Sequence, residues 1–253
     1  MTASPEELVH YEVADGIATI TLDSPHNRNA LSRQLVTELH GHLETADAAD
    51  DVTVVVLRSS GRVFCSGADL SEATTVPMKD SAWAIVELQR LIVAHSKPVV
   101  TVVEGAVRAG GIGVIAASDI AIVAEDATFA LTEVKLGLAA AMISLTVLPR
   151  LTSRAAGLTA LGGEVFSGSE AAAYGLVTRA VPAADLDAAV DELVGQVATG
   201  AQQGLRETKK VLNAELLERI DAKGAEMVEL SSRLFGSDAA KEAMTAFLSR
   251  GKG

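Results

Sequence analysis

The chain has 253 residues, nearly half of them apolar, with few aromatics, one cysteine and a formal net charge of −12. A single cysteine excludes an intrachain disulfide and fits a reducing compartment. The acidic balance excludes a general nucleic-acid or anionic-membrane surface. No apolar run approaches bilayer length, and residues 1–7 lack a basic region ahead of an apolar one. The expectation is a cytoplasmic α/β protein: one large domain, alone or with a helical appendage.

Val9–Val13 and Ile17–Leu22 alternate apolar and polar residues around Ala14-Asp15-Gly16, the signal of a β-hairpin. After the loop Asp23–Asn29, Ser32 caps a helix to about Ala46, with Leu35, Leu39 and Leu43 at helical spacing. Val52–Leu57 reads as a strand buried on both faces. Arg58–Asp69 follows as a Gly- and Ser-rich turn, and Glu72–Asp80 is polar and irregular. Ala82–Ala94 reads as a helix with Ile85, Leu88, Leu91 and Ile92 inward.

Pro98–Val103 is the next strand, and it runs into Gly105-Ala106-Val107-Arg108-Ala109-Gly110-Gly111-Ile112-Gly113-Val114. A short helix over 115–117, a strand at Asp119–Val123 and an extended piece at Thr128–Leu131 come next. Strands alternating with helices predict a parallel sheet with right-handed crossovers. From Ile143 the pattern turns helical: Ser169 caps a helix to Tyr174, Leu176–Val181 is a last strand, and 186–248 is nearly all helix.

The glycine stretch is the chemical focus. Glycines at a strand-to-helix junction let a ligand approach the backbone, and the first amides of a helix are unpaired at the positive end of its dipole. An oxyanion or a phosphate fits such a place. Gly111-Ile112-Gly113-Val114-Ile115-Ala116 also matches a dinucleotide pattern, but that motif needs ~30 residues and an acid ~20 further on, at the end of the second strand. Glu133 lies beyond that strand and Glu125 comes too soon.

Cys65 has no histidine placed as its base, so it reads as a small buried thiol. Cys-Ser-Gly is not the hydrolase elbow, so the backbone amide of Ser66 matters more than its hydroxyl. Amides from two turns make an oxyanion hole. Glu133, just after a buried strand, is the candidate proton-transfer group, and its plain alternative is a surface acid beside Lys135. No His or Cys cluster has metal-ligand spacing. His40 and His42 read as solvated residues on different faces of one helix.

Four segments, in order and at matching spacing, resemble the crotonase, or enoyl-CoA hydratase/isomerase, superfamily over nearly the whole chain. They are Asn27–Leu31, Phe64-Cys65-Ser66-Gly67-Ala68-Asp69-Leu70, Gly105–Asp119, and Phe129–Gly137. The resemblance implies a spiral of ββα turns over 1–190 and a helical region over 191–253 used to assemble a homotrimer or a dimer of trimers. It assigns the oxyanion amides to Ser66 and Gly110 and the acid/base to Glu133. Arg28, Ala68, Asp69 and Leu70 would line the coenzyme A side, with Arg62 a further candidate for the phosphates. Coenzyme A would be part of the substrate, with no separate cofactor or metal.

This chain departs from the two-glutamate pattern. Gly113 occupies the first acid position, Ala109 replaces the first glycine of the Gly-Gly-Gly run, and Ala139–Ser144 replaces a Gly-rich loop. The combination resembles a single-glutamate branch that includes hydratases of branched, glutaconyl-type CoA esters. The implied activity is hydration of an α,β-unsaturated acyl-CoA. The alternatives are a Δ3,Δ2-enoyl-CoA isomerase using Glu133 as sole base and a catalytically silent acyl-CoA binder. Leu70–Trp83, Leu138 and Met142 are the candidate acyl-pocket residues.

Overall fold

The computed structural model describes residues 6–69, 71–72 and 77–250, the side chains of 247–250 excepted. Leu70 lies outside them. The chain opens with the hairpin β1 (Val9–Ala14) and β2 (Ile17–Leu22), then α1 (Arg33–Ala48), β3 (Val54–Ser59), β4 (Val63–Cys65) and α2 (Met78–Ala94). Next come β5 (Val99–Val103), β6 (Ala106–Arg108), α3 (Gly110–Ala117), β7 (Ile120–Ala124) and β8 (Thr128–Ala130). A 3-10 turn at Glu133–Leu136 leads to α4 (Ser144–Arg150), α5 (Ser153–Gly162), β9 (Phe166–Ser167), α6 (Gly168–Tyr174) and β10 (Arg179–Val181). Three helices finish the described chain: α7 (Leu186–Ala198), α8 (Gln202–Phe235) and α9 (Asp238–Arg250).

Two sheets form where the alternation of elements predicts one. The larger runs β1-β2-β3-β5-β7-β10 and the smaller β4-β6-β8-β9. After the opening hairpin, the pairs β3/β4, β5/β6 and β7/β8 each give one strand to each sheet and are followed by helical structure, which is the ββα spiral. The pairs β2–β3, β3–β5, β5–β7 and β7–β10 are parallel, and only the opening hairpin of that sheet is antiparallel. β5 is buried along its whole length, as its unbroken Val/Thr run requires.

Local signals place several boundaries. Ser32 accepts the Leu35 amide and starts α1. The cap of α6 is Ser167, not Ser169: a reciprocal capping box joins the Ser167 and Glu170 side chains and backbones. The last strand is only Arg179–Val181, because Leu176 and Val177 close the turn after α6. His42 is not solvated. It bonds the Val9 carbonyl at 2.9 Å and stacks on Tyr11, whereas His40 stays at the surface beside Glu44.

The long helix α8 packs on α2 and is pinned by a buried ion pair. Lys209 Nζ donates to Asp119 Oδ2 at 2.8 Å and to the carbonyls of Ile92 and Lys97 at 3.0 and 2.9 Å. The ammonium therefore neutralises Asp119 and caps the negative C-terminal end of α2. Asn213 Nδ2 donates to the other Asp119 oxygen at 2.7 Å, and that carboxylate also accepts the Val99 amide. Removing one partner of such a pair strands the other without its counter-charge. Lys209→Met is expected to lower unfolding free energy by about 3 kcal/mol, measured by urea titration.

Candidate active site

The turn after β4 and the turn after β6 lie against each other. Gly67, at φ 97°, holds a conformation that strains any residue with a side chain, and an ideal Cβ there would sit a tight 3.1 Å from the Ala109 Cβ. Ala109 caps α3 at φ 45°, ψ −116°, a strained conformation for a residue with a Cβ. From that cap the Gly110 amide opens the helix without an acceptor inside it. Both turns line one cavity of about 630 Å³, which also holds Arg28, Asp69 and Glu133.

Ser66 stands in this lining, but its donors are already used. Its amide donates to the Arg28 carbonyl at 3.1 Å and its hydroxyl to the Asn27 carbonyl at 3.0 Å. Ser66 therefore staples the 27–28 loop to the β4 turn, and its amide is not the free donor expected of it. The amide of Ala68, two residues on, makes no hydrogen bond among the described residues. Gly67 turns the chain between them, so Ser66 faces the loop and Ala68 lies at the cavity.

The rest of this loop is knitted to the same turn. Asn29, buried, accepts the Ser24 amide and donates to the Val63 carbonyl at 2.8 Å. Asn27 donates to Asp69 at 3.0 Å. Burial alone would raise the Asp69 pKa, but hydrogen bonds from Ser71 and Asn27 hold it below the ordinary carboxylate range. Asp69 is thus an ionised tie between loops. Arg28 is exposed at the cavity mouth, while Arg62 does not line the cavity.

Glu133 is the one cavity carboxylate without a side-chain partner among the described residues. Its Oε2 is buried and unbonded, and desolvation pushes its pKa above the ordinary value despite the bond from its own amide. Lys135 turns away to Glu164 at 2.8 Å, so the reading of Glu133 as a surface acid paired with Lys135 fails. Cys65 is buried, and burial pushes its thiol up to about 12. That leaves it inert near neutral pH.

The space beside Gly113 is filled. An ideal Cβ there would lie 2.6 Å from Ile143 Cγ2 and 3.0 Å from Gln89 Oε1. Leu138 and Met142 line the cavity as expected, whereas Trp83 packs towards Gly224 of α8 instead. Arg108, which no sequence motif marks, has a half-buried guanidinium that reaches the cavity while donating to the Val107 and Thr128 carbonyls at 2.8 and 2.7 Å. Ser231, Phe235 and Met244, equally unmarked, bring the C-terminal helices to the cavity wall. Only the basic residue inside an otherwise small and apolar turn hinted at Arg108.

A family model described as enoyl-CoA hydratase/isomerase matches residues 12–253. The crystal structure of an enoyl-CoA hydratase from Mycobacterium avium superposes with a TM-score of 0.91 at 44% identity, covering 97% of each chain. A Rhodobacter capsulatus protein named "Probable enoyl-CoA hydratase" is 31% identical over 96% of this chain and 95% of its own. A peroxisomal Δ(3,5)-Δ(2,4)-dienoyl-CoA isomerase of Arabidopsis thaliana is 30% identical over 81% of this chain and 80% of its own.

An ionised Glu133 costs folding free energy, because its folded pKa lies above its unfolded one. That cost is absent below the unfolded value, ~4.3, and grows as pH rises through the folded value. Glu133→Gln is therefore expected to raise Tm by ~2–4 °C at pH 8, equivalent to about 1 kcal/mol. At pH 4 thermal melts should show no resolvable difference.

Proposed function

The chain belongs to the enoyl-CoA hydratase/isomerase family, and from that premise we propose that it hydrates an α,β-unsaturated acyl-CoA thioester. The observation that carries this reading is Glu133: a desolvated carboxylate with an unbonded oxygen, in the same cavity as the Gly110 and Ala68 amides, which make no hydrogen bond among the described residues. Those two amides would hold the thioester oxygen. Two such donors contribute ~3 kcal/mol each to an oxyanion in a water-poor site.

In the proposed step Glu133 takes a proton from water as the water oxygen bonds to the β-carbon. The π electrons shift through the α-carbon to the thioester oxygen, giving an enolate under the two amides. Glu133 then returns the proton to the α-carbon, so one carboxylate serves both halves. Arg28 at the mouth supplies a cation for the coenzyme A phosphates, with Ala68 and Asp69 beside it. Leu70 keeps its place in this reading by motif alone.

A second reading within the family is isomerisation, favoured by one observation. Ile143 and Gln89 occupy the room a second acid at position 113 would need, and moving a proton between two carbons needs a single base. The exposed apolar side chains Leu158, Leu161 and Val165 support self-association, and we read the assembly as a trimer or a dimer of trimers.

Assays on paired 2-enoyl and 3-enoyl CoA esters should give 3-hydroxyacyl-CoA from the former. Glu133→Gln is expected to lower turnover by ~10²–10⁴-fold while leaving the Kd for the ester within about threefold. Its raised pKa places the acid limb of the wild-type kcat/KM profile above the ordinary carboxylate range. Ester binding without turnover in the wild type would instead identify a silent acyl-CoA binder.

A further inference from the structure

Behind the acyl side of the cavity lies a buried polar knot with no part in the proton transfer. Gln89 on α2 and Thr146 on α4 are both fully buried. The Thr146 hydroxyl donates its one proton to Gln89 Oε1 at 2.6 Å, the nearest of the acceptors around it. The Gln89 amide group donates to the carbonyls of Ile85 at 3.1 Å and Met142 at 3.3 Å. Each polar end of Gln89 is therefore satisfied, as a buried amide requires.

The knot has a consequence at the cavity. Ile85, Met142 and Ile143 all line it, and 138–143 has no helix or strand of its own. The Met142 carbonyl is held by Gln89, and the Ile143 side chain fills the space above Gly113. A glycine at 113 is what lets Ile143 and Gln89 come this close.

We propose that Gln89, locked by Thr146, is a positioning residue that fixes the Met142–Ile143 wall against Gly113 and thereby sets which acyl chains the site accepts. The inference rests on the cavity binding an acyl-CoA ester, as proposed above. With the Met142 carbonyl tied to Gln89 and the Ile143 side chain seated over Gly113, the wall resists retreat for a longer or branched chain. Discrimination of one methylene in an apolar pocket amounts to about 10–200-fold.

The test is steady-state kinetics on linear 2-enoyl-CoA esters of increasing length and on 3-methyl-branched ones. Wild type, Gln89→Leu, Thr146→Val and Thr146→Ser are compared, with ester Kd measured alongside. Gln89→Leu and Thr146→Val are expected to cut the kcat/KM ratio between the best ester and its next-longer or branched neighbour by about tenfold, mainly through KM. Thr146→Ser keeps the hydroxyl and should keep the wild-type ratio. Should Gln89→Leu not fold, the nearly isosteric Thr146→Val carries the test.

Ratios within about twofold of wild type, or an equal loss of kcat on every ester with KM unchanged, would overturn the assignment while leaving the hydratase reading standing. A wild type that neither binds nor turns over any ester would remove both.

Discussion

The site depends on one steric constraint: two strand-to-turn connections must touch. Glycine at 67 adopts φ 97° without strain and lets the turn after β4 rest close on the Ala109 Cβ. The two short strands that feed these turns, β4 and β6, are neighbours in the smaller sheet, and β8, which feeds the Glu133 turn, is next to β6. Three parallel strands thus deliver three turns to one cavity. Part of the cost is visible at Ala109, held at φ 45°, where a conformation of this kind costs of order 1–3 kcal/mol.

Charge is arranged to suit that geometry. Arg28 and Arg108 bring cations to the cavity, Asp69 is tied down by Asn27 and Ser71, and Glu133 is left desolvated with an unbonded oxygen. A carboxylate with raised pKa is a better proton carrier near neutral pH than a solvated one. The stability given up there is small beside what burial of the apolar core around the large sheet contributes. Glu133 sits on the segment between β8 and α4, packed by α5 and α9, so its charge is held in place by elements outside its own turn.

Long-period signals made much of this legible in the sequence. The hairpin, the Ser32 cap, the all-buried strands and the C-terminal helices follow from periodicity and capping chemistry. The second sheet did not, because β4, β6 and β8 are three residues each, too short for any alternation to register. The four motif segments located Gly110 and Glu133, but not which amide of the Cys-Ser-Gly-Ala turn is free. That depends on the Arg28 carbonyl, nearly forty residues away, capturing the Ser66 amide. Likewise the sequence shows a glycine at the first acid position, and only the packing of Ile143 and Gln89 shows that the room beside it is filled. The partners that bury His42, Val9 and Tyr11, are likewise distant in the chain and leave no local signal.

The central claim is that Glu133 carries the α-proton of a thioester whose oxygen is held by backbone amides. Proton exchange at the α-carbon tests it most directly. A 3-hydroxyacyl-CoA ester would be incubated in D2O with the wild-type protein and with Glu133→Gln, and α-deuteration followed by mass spectrometry. The account predicts deuterium entering the α-position with the wild type and none above background with the variant. Equal incorporation by both proteins would contradict it.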